Sequence, residues 1–432
     1  MDNVLHLSCL LCGETYQPEE VAYVCPLHTA EHESARQNEG ILDVRYDYER
    51  IAATFSRDQL RENRNMTMWR YRPLLPVAPG APVPPLDVGW TPLYEAPRLA
   101  RSLGLRHLWL KDEGRQPTAS LKDRASAVVV MRAQAMGARV ITAASTGNAA
   151  AALSGLCASV GLPAVIFVPV TAPQAKIAQL LVYGATVMLV RGSYDDAFEL
   201  CLRASDAYGW YNRNTGFNPY TTEGKKTVSH EVCEQMHWEA PDAIFVSVGD
   251  GSIIGGVHKG LKDLRALGWI DRMPRLFGVQ SSGSDWLVQA WEEQADLMEK
   301  GPIQASTVAD SISAGLPRDR LKAMAAVRET GGAYLRVPDE EILAAIPTLA
   351  RGAGLFAEPA GAAAYAGLVQ AVEQGLVQKS DRTVVISTGN GLKDIASAMK
   401  AAELAQTRSY TLQPDLEDLQ RVMTQEVEKL TI

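Results

Sequence analysis

From residue 107 onward the chain alternates short apolar runs with segments of helical period, and glycine or proline marks nearly every junction. His107–Lys111, Arg139–Ala144, Ala164–Val168 and Thr186–Val190 read as strands. Leu121–Met136, Ala149–Val160, Ala175–Tyr183 and Asp195–Tyr208 read as the helices that follow them. Ala243–Val248, Leu276–Val279 and Thr383–Ile386 are later apolar runs of the type buried on both faces. Such alternation demands a parallel sheet covered by helices, because a parallel crossover needs a connection of helix length. Ligands of open parallel sheets bind beyond the carboxyl ends of the strands. The residues directly after each strand are therefore the candidates for function.

A chain of 432 residues is long enough for about two to three domains and a sizeable core. A net charge of −8 argues against a nucleic-acid partner, which selects a basic face. Residues 140–175 carry no charge, but Ser145, Thr146, Asn148, Gly155, Gly161 and Pro163 divide them into strand, turn, helix and strand. A membrane span is not expected there. The start of the chain has no basic residues leading into an apolar run, so no secretory signal is expected. Cys157, Cys201 and Cys233 lie in apolar, helix-like segments and read as buried thiols of a cytoplasmic protein. Six prolines fall between residues 70 and 90, which predicts an extended segment leading into the main domain. After Thr407 the chain turns polar and closes on a short amphipathic helix.

The first 45 residues differ from the rest. Cys9 and Cys12 form one pair, with Gly13 free to make the tight turn behind it, and Cys25 and His28 repeat the spacing. Two such knuckles offer four ligands to one tetrahedral zinc, far from the other motifs and therefore structural. A chance cluster would give the same letters.

Four turns carry the chemistry. The first is Pro117-Thr118-Ala119-Ser120-Leu121-Lys122-Asp123-Arg124, which places a lysine at the start of a helix. A helix N-terminus disfavours a cation, so a lysine kept neutral for Schiff-base chemistry is one reason for it; a solvated surface lysine is the plain alternative. The second is Ser145-Thr146-Gly147-Asn148, whose free amides suit a carboxylate and whose residues equally suit a simple helix cap. The third is Gly249-Asp250-Gly251-Ser252-Ile253, a glycine-rich turn able to cradle a phosphate, with Asp250 expected to point away. It matches neither the dinucleotide nor the nucleoside-triphosphate fingerprint. The fourth is Ser387-Thr388-Gly389-Asn390, where a hydroxyl can meet a ring nitrogen.

In this order the set resembles the fold-type II, tryptophan synthase β-like, pyridoxal-phosphate enzymes, and within them the threonine synthases. Asn218-Pro219-Tyr220, Glu223-Gly224-Lys225-Lys226-Thr227, Glu358-Pro359-Ala360 and Thr388-Gly389-Asn390-Gly391-Leu392-Lys393-Asp394 add to the likeness, which spans about residues 85–400. The resemblance implies two open α/β domains with the cofactor between them, beside a zinc-ribbon-like module at 1–45. The large domain would comprise 46–120 and 236–432, and the small one 121–235. It also implies roles. Lys122 is the Schiff-base lysine and the base that removes the α-proton. Asn148 meets the cofactor's 3-oxygen. Gly249, Asp250, Gly251, Ser252 and Ile253 line its phosphate. Thr388 faces the pyridine nitrogen. Ser145, Thr146, Gly147 and Asn218 bind the substrate. A homodimer is the expected assembly.

Departures from the family matter here. Ala149 stands for a usual threonine and Thr221 for a usual arginine, both of which serve a substrate phosphate. Ala119 replaces a common glycine, Leu121 a phenylalanine and Gln116 an asparagine. One expectation is therefore conversion of O-phosphohomoserine and water to threonine and phosphate, with Lys225, Lys226 or Lys393 supplying the missing charge. Another is β-elimination or β-replacement on serine, threonine, O-phosphoserine (cysteate synthase-like) or diaminopropionate. The third is a non-catalytic binding protein that keeps only the fold.

Overall fold

The computed structural model describes residues 1–28, 40–145, 147–172, 174–407 and 409–430. Three sheets organise them. The N-terminal module is antiparallel, with β1 (Val4–Cys9) between β2 (Thr15–Tyr16) and β3 (Leu42–Tyr46). The remaining ten strands are β4 (Leu93–Glu95), β5 (His107–Asp112), β6 (Ile141–Ala144), β7 (Ala164–Pro169), β8 (Thr186–Val190), β9 (Tyr211–Asn212), β10 (Ala243–Ser247), β11 (Arg275–Ser281), β12 (Ala333–Val337) and β13 (Arg382–Ser387).

A six-stranded sheet runs β12-β11-β10-β13-β5-β4, parallel except for the edge strand β4. A four-stranded sheet runs β8-β7-β6-β9 and is parallel throughout. Every residue of β6, β7 and β10 is buried, as expected of strands covered on both faces. The expected strands and helices after residue 107 all form, with ends that shift by one or two residues.

Three details differ from the sequence reading. Met68–Leu74 is a 3₁₀ helix rather than extended chain; the Thr67 hydroxyl caps it by accepting from Trp69 N–H at 3.3 Å. Its Pro73 is tolerated because so short a helix has few bonds to lose. Strand β9 has only two residues, too few to show a period. Strand β12 was hidden because Arg336 breaks its apolar run.

Three of the four chemical turns follow β5, β10 and β13, which are neighbours in the large sheet. The fourth follows β6 in the small sheet, and its Asn148 reaches Glu358 on the large-sheet side, so the turns face one another across a cleft. Buried ion pairs lock the flanking helices. Arg124 meets Glu113 at 2.7 Å and Glu231 at 2.5 Å, and Lys111 meets Glu231 at 2.7 Å. All four side chains are buried. No helix among the described residues is long and apolar enough to cross a membrane.

Candidate active site and metal centre

The lysine turn is held in place by the turn after β13. Leu121 N–H donates to the Thr388 carbonyl at 2.9 Å, and Asn390 N–H donates to that of Ala119 at 3.1 Å. Inside the turn, Thr118 N–H donates to the Asp123 carboxylate at 2.7 Å. Ala119 has φ +65°, the left-handed region that favours glycine. That backbone brings Ser120 and Lys122 around to the cleft, and the buried Ser120 hydroxyl has no partner among the described residues.

Lys122 opens the helix Lys122–Ala135. Burial, and then the charge of Arg213, push its amine down to about 8; Glu358 and Asp250 act the other way. A lysine in that range is neutral often enough near physiological pH to act as nucleophile and base.

Across the cleft, the Ser145 hydroxyl accepts from Gly147 N–H at 3.2 Å. Thr146 lies outside the described residues. Asn148 opens the helix Asn148–Ser159, and its Nδ2 donates to Glu358 Oε1 at 2.6 Å. Glu358 caps the helix Pro359–Glu373 and lies so close to Gly389 that a Cβ there would sit 2.2 Å from its Oε1. Burial raises the Glu358 carboxyl, with Lys393, Asn148, Lys122 and Lys176 opposing. Thr388 is buried at the end of β13, with its carbonyl on the lysine turn.

The glycine-rich turn leads into the fifteen-residue helix Ser252–Ala266. Gly249 and Gly251 are required by close approach: added Cβ atoms would meet Ile312 Cα at 2.8 Å and Ala323 Cβ at 2.6 Å. Gly251 also has φ +88°. Ile253 follows in the first helical turn and is buried. The Asp250 carboxylate accepts from Arg318 N–H at 3.3 Å, which turns it toward the Arg318–Asp319 segment.

Lys225 completes this turn. It is wholly buried, and its Nζ donates to the Ser252 hydroxyl at the helix N-terminus. Burial and the nearby charges of Arg213 and Lys122 hold its pKa well below the usual lysine value. A buried lysine beside the free amides of a helix start offers the groups that a phosphate needs. The other two candidate lysines are committed elsewhere. Lys226 pairs with Asp263 at 2.8 Å and Glu223 at 2.9 Å. Lys393 donates to the Thr118 carbonyl at 2.7 Å.

Asn218 uses both ends of its amide within its own loop, donating to the Asn212 carbonyl at 2.8 Å and accepting from Tyr220 N–H at 3.0 Å. Sequence reasoning overlooked Arg213 and gave Glu358 no role. The first follows a two-residue strand, and the second stands in a motif whose partner, Asn148, is 210 residues away.

At the N-terminus, the ligand atoms of Cys9, Cys12, Cys25 and His28 all lie within 4.8 Å of one another. Cys12 Sγ and Cys25 Sγ are 3.9 Å apart. Two thiolates on one tetrahedral zinc stand about 3.8 Å apart, given Zn–S bonds of about 2.3 Å. Gly13 has φ +75°, and its N–H donates to the Cys9 carbonyl at 3.0 Å, closing the first knuckle. The Tyr16 hydroxyl lies 3.1 Å from Cys25 Sγ, as an outer partner of a bound thiolate would.

Residues 85–389 match the family described as pyridoxal-phosphate dependent enzyme. Threonine synthase of Methanocaldococcus jannaschii is 36% identical over 418 residues, 96% of this chain and 98% of that protein. Threonine synthase of Methanosarcina acetivorans is 37% identical over 401 residues, 92% of this chain and 94% of that protein. Among solved structures, diaminopropionate ammonia lyase of Escherichia coli overlays with a TM-score of 0.64 at 17% identity, covering 82% of this chain and 94% of that one. Threonine deaminase isoform 2 of Solanum lycopersicum overlays with a TM-score of 0.63 at 24% identity, covering 73% and 88%. These two likenesses describe the fold.

Proposed function

We propose, from the premise that this chain belongs to the family of pyridoxal-phosphate-dependent enzymes and is a lyase of the threonine synthase-like group, that Lys122 carries the cofactor and removes the α-proton of a small amino acid. The observation that carries this reading is the convergence of four strand-end turns on a lysine whose amine is held near 8. The residues present fit the cofactor: a glycine-rich turn at a helix start with the buried Lys225 beside it, a hydroxyl residue at the end of β13, and an amide at Asn148.

Bound there, the cofactor supplies the electron sink that stabilises charge at Cα and allows a group to leave from the side chain. The chain's residues do the rest. Amides of Gly249, Gly251, Ser252 and Ile253, with Lys225 Nζ, hold the phosphate. Asp250 shapes that turn from behind. Thr388 would offer the ring nitrogen a neutral hydroxyl in place of a charged partner, which would suit elimination and replacement rather than transamination. Asn148 donates toward the 3-oxygen. Ser145, Thr146 and Gly147 hold the substrate carboxylate, and Asn218 keeps the neighbouring loop in place. Lys122 Nζ, neutral when it acts, takes the proton from Cα and later returns it.

For substrate, we assign O-phosphohomoserine, with phosphate leaving Cγ and water adding at Cβ to give threonine; the two relatives of nearly full-length match are both named threonine synthase. Ala149 and the Thr221 side chain, which donates to the Asn218 carbonyl at 2.9 Å, favour the second reading, elimination or replacement at Cβ of serine, threonine, O-phosphoserine or diaminopropionate. A screen of these five compounds on the holoenzyme, following absorbance, phosphate and ammonia, separates the two. Threonine with equimolar phosphate from O-phosphohomoserine supports the first. Silence there with turnover of a three-carbon substrate supports the second.

The knuckle residues Cys9, Cys12, Cys25 and His28 would hold a structural zinc. Six free cysteines suit the reducing cytoplasm, and a two-fold dimer is the assembly we assign.

A further inference from the structure

Arg213 is buried and makes no ion pair among the described residues; Asp123 and Asp250 act on it only from a distance, and burial outweighs them. It is 1% exposed. Its Nε donates to the Ser126 hydroxyl at 3.2 Å and its Nη1 to the Thr215 hydroxyl at 3.0 Å. Nη2 has no hydrogen-bond partner among the described residues. Arg124, equally buried, meets two glutamates instead. A guanidinium cannot shed its proton, so an uncompensated one in the interior is costly unless an anion joins it. Its cost is shared: Arg213 supplies the largest opposing charge at both Lys122 and Lys225.

Its place decides which anion that is. Arg213 N–H donates to the Thr142 carbonyl at 2.9 Å, and the next residue, Asn214, accepts from Ala144 N–H at 2.8 Å. The backbone of Arg213 therefore runs beside the end of β6, while its guanidinium reaches Ser126 on the helix that Lys122 opens. Ser126, which it touches, lies one helical turn beyond Lys122 on the same face. Lys225 and Ser252 are the groups proposed for the cofactor phosphate, and they use no atom of Arg213.

We infer that Arg213 is a specificity-determining residue: its free Nη2 edge takes a second anion, a phosphomonoester on the side chain of the substrate. The hydroxyls of Ser126 and Thr215 each keep a hydrogen to donate to the same group. The guanidinium thus enters from the end of β9, whereas position 221 carries a threonine committed to its own loop. This inference rests on the reading of the cleft as a pyridoxal-phosphate site.

The test titrates the holoenzyme with L-homoserine and with O-phospho-L-homoserine, following the cofactor's absorption band, in the native protein, Arg213→Gln and Arg213→Lys. A charge-assisted contact of about 2 kcal/mol corresponds to a preference of roughly 30-fold for the phosphorylated compound in the native protein. Arg213→Gln reduces that preference to about threefold, with homoserine affinity unchanged, and Arg213→Lys keeps part of it. Equal affinities in the native protein overturn the inference, and so does a preference unchanged in Arg213→Gln. Loss of the cofactor band in both variants places Arg213 on the cofactor instead and also overturns it. A native protein with no cofactor band, or with no response to either compound, overturns the underlying reading together with this one.

Discussion

Lys122 lies among cations. Burial first, and then Arg213, bring its amine from 10.5 to about 8. Between those values the unfolded chain binds more protons at this site than the folded one. Stability of the cofactor-free protein therefore rises with pH across that window and falls as pH drops through it. We expect its Tm to climb more steeply from pH 8 to 10 than that of Lys122→Met; parallel curves would refute the shift. Ala119 gives a second prediction. At φ +65° a residue with a Cβ is strained, so Ala119→Gly leaves the Tm equal or higher. A β-branched side chain fits worse, and Ala119→Val lowers stability by about 1–2 kcal/mol, read from the denaturant midpoint.

At the scale of elements, the sequence carried the parallel sheets because buried strands are written as short apolar runs between glycines. The four turns were legible for the same reason: each follows such a run. What stayed hidden depends on distance through the fold. Nothing near Arg124 in the sequence says that it pairs with Glu231, 107 residues on. Lys225 and Lys226 stand side by side, yet one faces the cleft and the other faces Asp263. A helix of 3.6 residues per turn separates neighbours in that way, but only the packing says which side is which. Asn218, with the letters of a binding residue, holds its own loop. The ion-pair cluster gives a prediction at this scale. Glu231→Gln leaves Arg124 and Lys111 under-compensated in the interior, and we expect a loss of about 3–5 kcal/mol in equilibrium unfolding. A loss below about 1 kcal/mol would mean that the helices do not depend on the pair.

The whole molecule is tied together by a buried seam between the N-terminal module and the helices behind the phosphate turn. The Tyr46 hydroxyl donates to Glu223 at 2.7 Å, the Tyr48 hydroxyl donates to Asp263 at 2.6 Å, and Lys259 bridges Asp43 and Glu223. Burial alone would raise the Asp43 carboxyl, but Lys259, Lys322 and Arg45 outweigh it and bring it to about 2 from 3.8. A depressed carboxylate stabilises the fold above its unfolded value, and that contribution is lost as pH falls through the folded one. We therefore expect the seam to weaken between about pH 4 and 2, and Asp43→Asn to flatten that loss in acid unfolding. Metal removal acts on the same module. The native protein should bind one zinc per chain, lose it in Cys9→Ser and melt lower without it; zinc content unchanged by Cys9→Ser would remove the metal centre from the account.

The central claim is that the cleft is built around Lys122 as the residue that carries pyridoxal phosphate. Borohydride reduction of the holoenzyme, followed by digestion and peptide mass spectrometry, tests it most directly. The account predicts the pyridoxyl group on Lys122 alone, and none in Lys122→Ala. The same modification on Lys225, or on any other lysine of the native protein, would contradict it.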